Sequence, residues 1–254
     1  MRIDSLAAKA AAGLIVVALE TVATRAAEIH VLGATPMTGV VTEIGRQFER
    51  DSGHTIVARF VSGPVVKREI DRGQAFDLAV SITPVIDALV KEGKIAAATR
   101  ADVAYAGVGV GVRSGAPKPD VGTVEAFRNA LLNAKSVAHS AEGASGDYFR
   151  GVLARLGIAD QMQPKLRPMS PDALVKAVPS GAAEMIVVTM SVIVGGAAEL
   201  VGPVPAELQF YNRFAAGVGV QAKVADAAKR LLAALTAPTA AAAIKAAGME
   251  PGTP

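Results

Sequence analysis

Three short stretches of this chain place a hydroxyl, small side chains and free backbone N–H groups at the start of a helix. They are Thr35-Pro36-Met37-Thr38, Val61-Ser62-Gly63-Pro64 and Ala144-Ser145-Gly146. The first N–H groups of a helix have no intrahelical acceptor and carry the positive end of its dipole. A hydroxyl beside them adds a neutral donor. The chemistry such a place supports is capture of a small anion. Taken singly, a Ser or Thr there is most often a plain N-cap. Three turns of one design favour a shared purpose, and Thr35, Pro36, Ser62, Gly63, Ser145 and Gly146 are the candidate ligand-binding residues.

The other reactive groups point to less. His30 falls inside a strand, His54 beside a turn, and His139 ends a strand near Ser145. No carboxylate stands at a spacing that would make any of them a base. No His, Asp or Glu cluster has metal-ligand spacing, so no metal and no cofactor is expected. Arg68, one turn into a helix, can meet a ligand carboxylate, but a solvated face is the better reading. Gly107, Gly109 and Gly111 lack the spacing of a dinucleotide fingerprint, and Pro117 and Pro119 follow instead of a helix.

The elements that must position these groups alternate. Ile29, Val31 and Leu32 read as a buried strand, and Val40 to Ser52 as a helix with Val41, Ile44 and Phe48 on one face. Thr55 to Phe60 and Phe76 to Ile82 are strands, with helices opened by Pro64 and Pro84 after them. Tyr105 to Val112 reads as a strand crossing between two halves. Thr123 caps a helix, Ser136 to His139 is a strand, and Ser145 caps a helix from Gly146 to Leu156. Ser170-Pro171-Asp172 starts another helix, and Glu184 to Thr189 is a strand. Gly195 to Pro205 reads as a looser region, Phe214 to Val220 as the returning crossing strand. Lys223 to Leu235 and Pro238 to Ala247 are helices. Short connections between strands and helices imply parallel strands covered on both faces. Ligands of such sheets sit beyond the carboxyl ends of the strands, which puts the three turns on one side.

Composition removes several classes. The chain has 254 residues, 51% hydrophobic and 19% charged, enough for two lobes with cores of their own. A net charge of +3 with no basic run argues against a nucleic-acid partner. There is no Trp and no Cys, which removes disulfides, thiolate metal sites and cysteine nucleophiles. Residues 1–26 read as a signal peptide. Arg2 and Lys9 form its positive start and Ala10 to Leu19 its apolar stretch. Thr24-Arg25-Ala26 or Thr21-Val22-Ala23 is the cleavage site. The apolar stretch is short of the roughly 20 residues that span a bilayer. A periplasmic protein is expected.

These residues, in this order, resemble the periplasmic solute-binding proteins of the molybdate-binding type. The likeness runs from Ile29 to Thr38 and Phe48, through Phe60-Val61-Ser62-Gly63 and Asp77-Leu78-Ala79-Val80-Ser81, to Ser145-Gly146-Asp147-Tyr148 and Leu156-Gly157. Gly202-Pro203-Val204-Pro205-Ala206-Glu207-Leu208-Gln209 is similar to a subgroup of that family rather than to the true molybdate binders. The resemblance implies an α/β, two-lobed periplasmic-binding-protein fold of type 2. Each lobe is a mixed sheet flanked by helices, and two hinge crossings join them. Residues 27–106 and 213–254 would form one lobe and 107–212 the other. It implies a monomer that closes on a small anionic ligand and delivers it to the membrane permease of an ABC transporter. Molybdate binders place a serine where Pro36 stands, further serines around Gly63 and Pro64, and a tyrosine near Val188 or Thr189. Thr35, Ser62, Ser145 and Thr189 can replace some of those hydroxyls. Thr189 thereby joins the candidate set, and a small organic carboxylate becomes as apt a ligand as molybdate. The subgroup includes enzymes that move the double bond of aconitate. An isomerase, with His139 or Glu142 as its base, is the alternative to a binding protein.

Overall fold

The computed structural model describes residues 26–252. All but the last residue of the expected signal peptide lie outside them. The chain begins with β1 (Glu28–Ala34), a one-turn 3-10 helix (Thr35–Met37), α1 (Thr38–Ser52), β2 (Thr55–Val61), α2 (Gly63–Asp71), β3 (Leu78–Ile82) and α3 (Thr83–Lys91). A long strand, β4 (Ala101–Arg113), leads to α4 (Val124–Asn133), β5 (Val137–Ser140), α5 (Ala144–Arg155), α6 (Ala159–Met162) and β6 (Leu166–Met169). Then come α7 (Pro171–Leu174), β7 (Met185–Thr189), α8 (Met190–Val194) and β8 (Ala198–Pro203). The chain returns through β9 (Tyr211–Val218) and ends with α9 (Ala225–Thr236), α10 (Ala241–Ala246) and β10 (Glu250–Pro251).

The strands lie in the order β2-β1-β3-β9-β4-β7-β5-β6, with β8 and β10 also paired to β4. β2, β1 and β3 are mutually parallel, as are β7, β5 and β6. β9 and β4 run antiparallel to their neighbours and connect the two parallel groups. The first part of β4 pairs with β9 and the later part with β7 and β8. The core changes along that one strand. Ala104 and Ala106 pack in a cluster with Ile29, Val31, Leu78 and Phe214, whereas Val108 and Val110 pack with Phe127, Phe149, Leu153 and Val187. This is a two-lobed mixed α/β architecture, and both lobes turn the carboxyl ends of parallel strands toward the cleft between them.

Three local readings are corrected. The returning strand begins at Tyr211 rather than Phe214, because Tyr211, Asn212 and Arg213 pair with Gly107, Ala106 and Tyr105 although their sequence is polar. The stretch from Gly195 to Pro205 is not loose throughout, since β8 occupies Ala198–Pro203. The glycines of β4 make room for β8 and for the side chains of α8 and β7 beside it. A Cβ on Gly109 would stand 2.6 Å from Met190 and 2.9 Å from the Gly202 carbonyl, and one on Gly111 would stand 2.9 Å from Ile186 and Ile193. Ser145 does not cap a helix, as described with the site below.

The crossing is also held by side chains. The Val108 N–H donates to Gln209 Oε1 at 2.8 Å, and Gln209 Nε2 donates to the Val108 carbonyl at 3.0 Å, so one amide stands in for a paired strand. The Tyr148 hydroxyl donates to the Leu208 carbonyl, and its ring stacks on Phe210 with centroids 5.2 Å apart. Burial pushes the Tyr148 phenol up to about 12.

Asp77 plays the matching part in the first lobe. It is 2% exposed; its Oδ2 accepts from the His30 N–H, and its Oδ1 from the N–H groups of Lys223 and Val224 ahead of α9. An amide keeps only one acceptor oxygen. Asp77→Asn is therefore expected to lose about 2 kcal/mol, within the usual range for a charged hydrogen bond and an unpaired buried donor. Urea denaturation measures this, and an unchanged midpoint would show that the three N–H groups find other partners.

Candidate functional site

Each candidate residue is placed by the end of a strand. β1 ends at Ala34, and Thr35 and Pro36 turn the chain; the Thr35 hydroxyl donates to the Val61 carbonyl at 3.1 Å and ties the ends of β1 and β2 together. Ser62 follows β2 as the N-cap of α2, extended at φ −66° and ψ 152°, with its hydroxyl taking no cap bond. The Ser62 carbonyl accepts from Val65 and Val66, and Pro64 has no N–H, so Gly63 supplies the donor at that helix end that has no partner among the described residues.

In the second lobe, β5 ends at Ser140 and the chain swings through Glu142 to Gly143. Gly143 has φ +110° and ψ 169°, open only to glycine at low cost, and it is the N-cap of α5. Its carbonyl accepts from Gly146 and Asp147, which leaves the N–H groups of Ala144 and Ser145 without a partner among the described residues. Ser145 thus lies in the first turn of the helix and is not its cap.

These positions converge. One cavity of about 50 Å³, several times the roughly 10–15 Å³ that a water needs, is lined by Thr35, Pro36, Ser62, Gly63, Ser145 and Thr189 among others. Ser62 and Ser145 are each 8% exposed. Gly146, the seventh candidate, lies behind the wall. A Cβ there would fall 2.1 Å from the Ser140 carbonyl oxygen, so glycine lets the helix start press against the end of β5. Its part is to bring Ser145 forward.

The structure also brings in a residue that the sequence did not suggest. Asn212, near the start of β9, lines the cavity, and its Nδ2 donates to Thr189 Oγ1 at 3.0 Å. Both residues are buried, at 4% and 1% exposure. The one signal that points to Asn212 is its polarity within a strand whose following residues, Phe214 to Val218, are all buried.

Among the described residues the cavity wall holds one ionisable side chain, Glu142. Its carboxylate receives Arg68 Nη2 at 2.9 Å, an ion pair that joins α2 of the first lobe to the loop before α5 in the second. Both side chains are about half exposed, so the pair is worth about 1 kcal/mol at most. Because it spans the lobes, Arg68→Ala is expected to raise the open-to-closed ratio by up to about fivefold with little change in denaturation midpoint. Distances between fluorophores on α1 and α4 report this, and an unaltered distribution would show that the pair does not hold the lobes together. His139 is not in the wall. It is 2% exposed, packs on Phe149 with ring centroids 5.7 Å apart, and its Nδ1 lies 3.0 Å from the Ser140 carbonyl. Burial lowers its pKa, which favours the neutral ring. His30 pairs with Glu28 on the surface, and His54 accepts from the Ala27 N–H.

Sequence and fold comparisons bear on the family and the fold. A family model described as bacterial extracellular solute-binding protein matches residues 29–250. A Pseudomonas protein named aconitate isomerase is 26% identical over 233 residues, covering 88% of this chain and 87% of its own. The molybdate-binding protein ModA of Escherichia coli is 30% identical over 149 residues, 56% of each chain. Among solved structures, the periplasmic molybdate-binding protein of Azotobacter vinelandii superposes with a TM-score of 0.75 at 22% identity, covering 89% of this chain and 99% of that one.

Proposed function

The chain belongs to the bacterial extracellular solute-binding proteins, and from that premise we propose that it captures one small anion between its lobes for an ABC importer. It is an extracytoplasmic protein by that membership. The observation that carries the proposal is the meeting of two helix starts, those of α2 and α5, at one cavity from opposite lobes. The wall offers hydroxyls of Ser62, Ser145 and Thr189 and the N–H groups of Gly63, Ala144 and Ser145. A helix N-terminus contributes up to about 2 kcal/mol to a partly buried anion. Neutral hydrogen bonds add about 1 kcal/mol each, and more to a charged acceptor. Two helix starts and several donors supply much of the ~8 kcal/mol of micromolar binding. The ligand class is an oxyanion such as molybdate or a small organic carboxylate. Binding as a monomer and delivery to a membrane permease follow from the same reading. Calorimetry on ligand-stripped protein with molybdate, tungstate, sulfate and di- and tricarboxylates tests it. Micromolar or tighter binding of one of them is expected, and no binding of any would overturn the proposal.

A second reading is an isomerase of an unsaturated tricarboxylate. It is favoured by the position of Glu142 in the cavity wall, where a carboxylate can take a proton from carbon beside a ligand carboxylate. The Pseudomonas relative bears the name of that activity. Incubation with cis- or trans-aconitate followed by NMR decides between the readings. Interconversion lost in Glu142→Gln supports the enzyme, and no turnover above the blank removes it.

A further inference from the structure

We infer that the ligand is an organic acid too long for the anion cavity, which takes one of its acid groups while the rest lies in an adjoining groove, against Ser191. The inference rests on the proposed anion site and narrows its ligand class. The cavity of about 50 Å³ is about a third of the roughly 150 Å³ that admits a benzene ring. It has room for one acid group and not for a whole di- or tricarboxylate. The groove encloses about 910 Å³ and shares Thr35, Pro171 and Val192 with the cavity, so the two spaces are continuous. Pockets for small organic ligands run to roughly 300–1,000 Å³.

Both lobes build the groove. Thr38, Thr42 and Phe60 belong to the first lobe, and Val175, Ser191 and Val192 to the second. Phe60, Val175 and Val192 give apolar surface to a carbon chain. The wall also carries Arg46 and Lys176 together with Glu43 and Asp172, so its charges cancel and a bare second oxyanion gains nothing there by field. Room, apolar surface and hydroxyls are what the groove adds, and these suit the body of an organic acid. The hydroxyls are not equivalent. That of Thr38 is spent on the Thr35 carbonyl at 2.8 Å. That of Ser191 is buried with no hydrogen-bond partner among the described residues, in a side chain 6% exposed. An unpaired buried hydroxyl costs stability, and a ligand group that pairs with it removes the cost. Ser191 stands two residues after Thr189 of the cavity, in α8, which packs against the 3-10 turn of the first lobe. Its hydroxyl therefore lies at the seam that has to part when a ligand enters.

The test sets anions of one acid group against longer acids, by calorimetry on the full chain freed of bound ligand. Sulfate, molybdate and acetate form the short set; succinate, citrate and gluconate form the long one. At least one long acid is expected to bind about tenfold or more tightly than every short anion. Ser191→Ala should weaken that long acid about fivefold, the loss of one hydrogen bond, and leave the tightest short anion within about twofold. Its urea midpoint should be no lower than that of the parent, since the hydroxyl has no partner to lose. Thr42→Trp, which fills the groove from α1, should weaken the long acid about tenfold or more and spare the short anion. A short anion bound more tightly than every long acid would overturn the inference while leaving the anion site. A long acid unaffected by Ser191→Ala, or equal losses for long and short anions, would overturn the role of Ser191. Absence of binding by every anion would overturn the site itself. The comparison in the parent protein needs no variant to fold.

Discussion

Gly146→Ala is expected to cost about 3 kcal/mol of stability and to abolish anion binding at ligand concentrations that saturate the parent. The added methyl carbon would stand 2.1 Å from the Ser140 carbonyl oxygen and 3.0 Å from its carbon, both backbone atoms that cannot swing away. Overpacking costs typically 1–3 kcal/mol, and a backbone obstacle places this case at about the upper end. Relief can come only by lifting the start of α5 off β5. That moves Ser145 and its N–H out of the cavity wall. Gly151, five residues on in the same helix, provides the control: a Cβ there meets nothing within 4 Å. Gly151→Ala should stabilise the helix by about 1 kcal/mol or less and leave binding intact. Chemical denaturation and calorimetry on both variants measure these outcomes. A Gly146→Ala protein as stable as the parent would remove the close approach from the account.

The second large effect is electrostatic. Ser62→Asp is expected to weaken binding of a singly charged anion by about 1000-fold. The side chain at 62 is buried in the cavity wall, so a carboxylate there faces the ligand with little water between. Two like charges about 4 Å apart at an effective dielectric constant of 20 repel by about 4 kcal/mol, and each 1.4 kcal/mol is about tenfold in affinity. Ser62→Ala separates the lost hydroxyl from the added charge and should weaken binding by only about tenfold. The fold should tolerate both, because Asp is at home at an N-cap and lies at the positive end of α2. Calorimetry gives the two ratios. Equal losses in Ser62→Ala and Ser62→Asp would mean that the anion does not sit against this helix start.

Much of the scaffold is legible in the sequence, for local reasons. The start of α4 is marked by Thr123, whose side chain accepts from the Ala126 N–H at 3.1 Å. The end of α1 is marked by Gly53 in the left-handed region at φ 71°. β3 and β7 are nearly continuous apolar runs because they are buried on both faces. What escapes is set by partners far along the chain. β8 has the glycine and proline of a turn region, yet it pairs with β4, whose Gly109 lets the Gly202 carbonyl approach closely. Tyr211-Asn212-Arg213 has no apolar alternation, yet it pairs with β4 and carries Asn212 into the cavity. The seven candidate site residues sort by the same logic. Thr35, Pro36, Ser62, Gly63 and Ser145 follow from strand-to-helix turns, since parallel strands bring such turns to one edge. Thr189 is suggested only through the family resemblance, because nothing in Glu184 to Thr189 marks its hydroxyl off from any other. Gly146 is read as a contact from its place in the turn, whereas its close approach to the Ser140 carbonyl depends on the end of β5 and not on residue type.

The central claim is that one anion is gripped from both lobes at once. A crystal structure grown with the tightest-binding anion of the calorimetric panel tests it most directly. That anion is expected in a single site, within about 3 Å of donors at Ser62 or Gly63 on one side and at Ala144 or Ser145 on the other. An anion seated on one lobe alone, with the cavity between these residues occupied only by water, would contradict it.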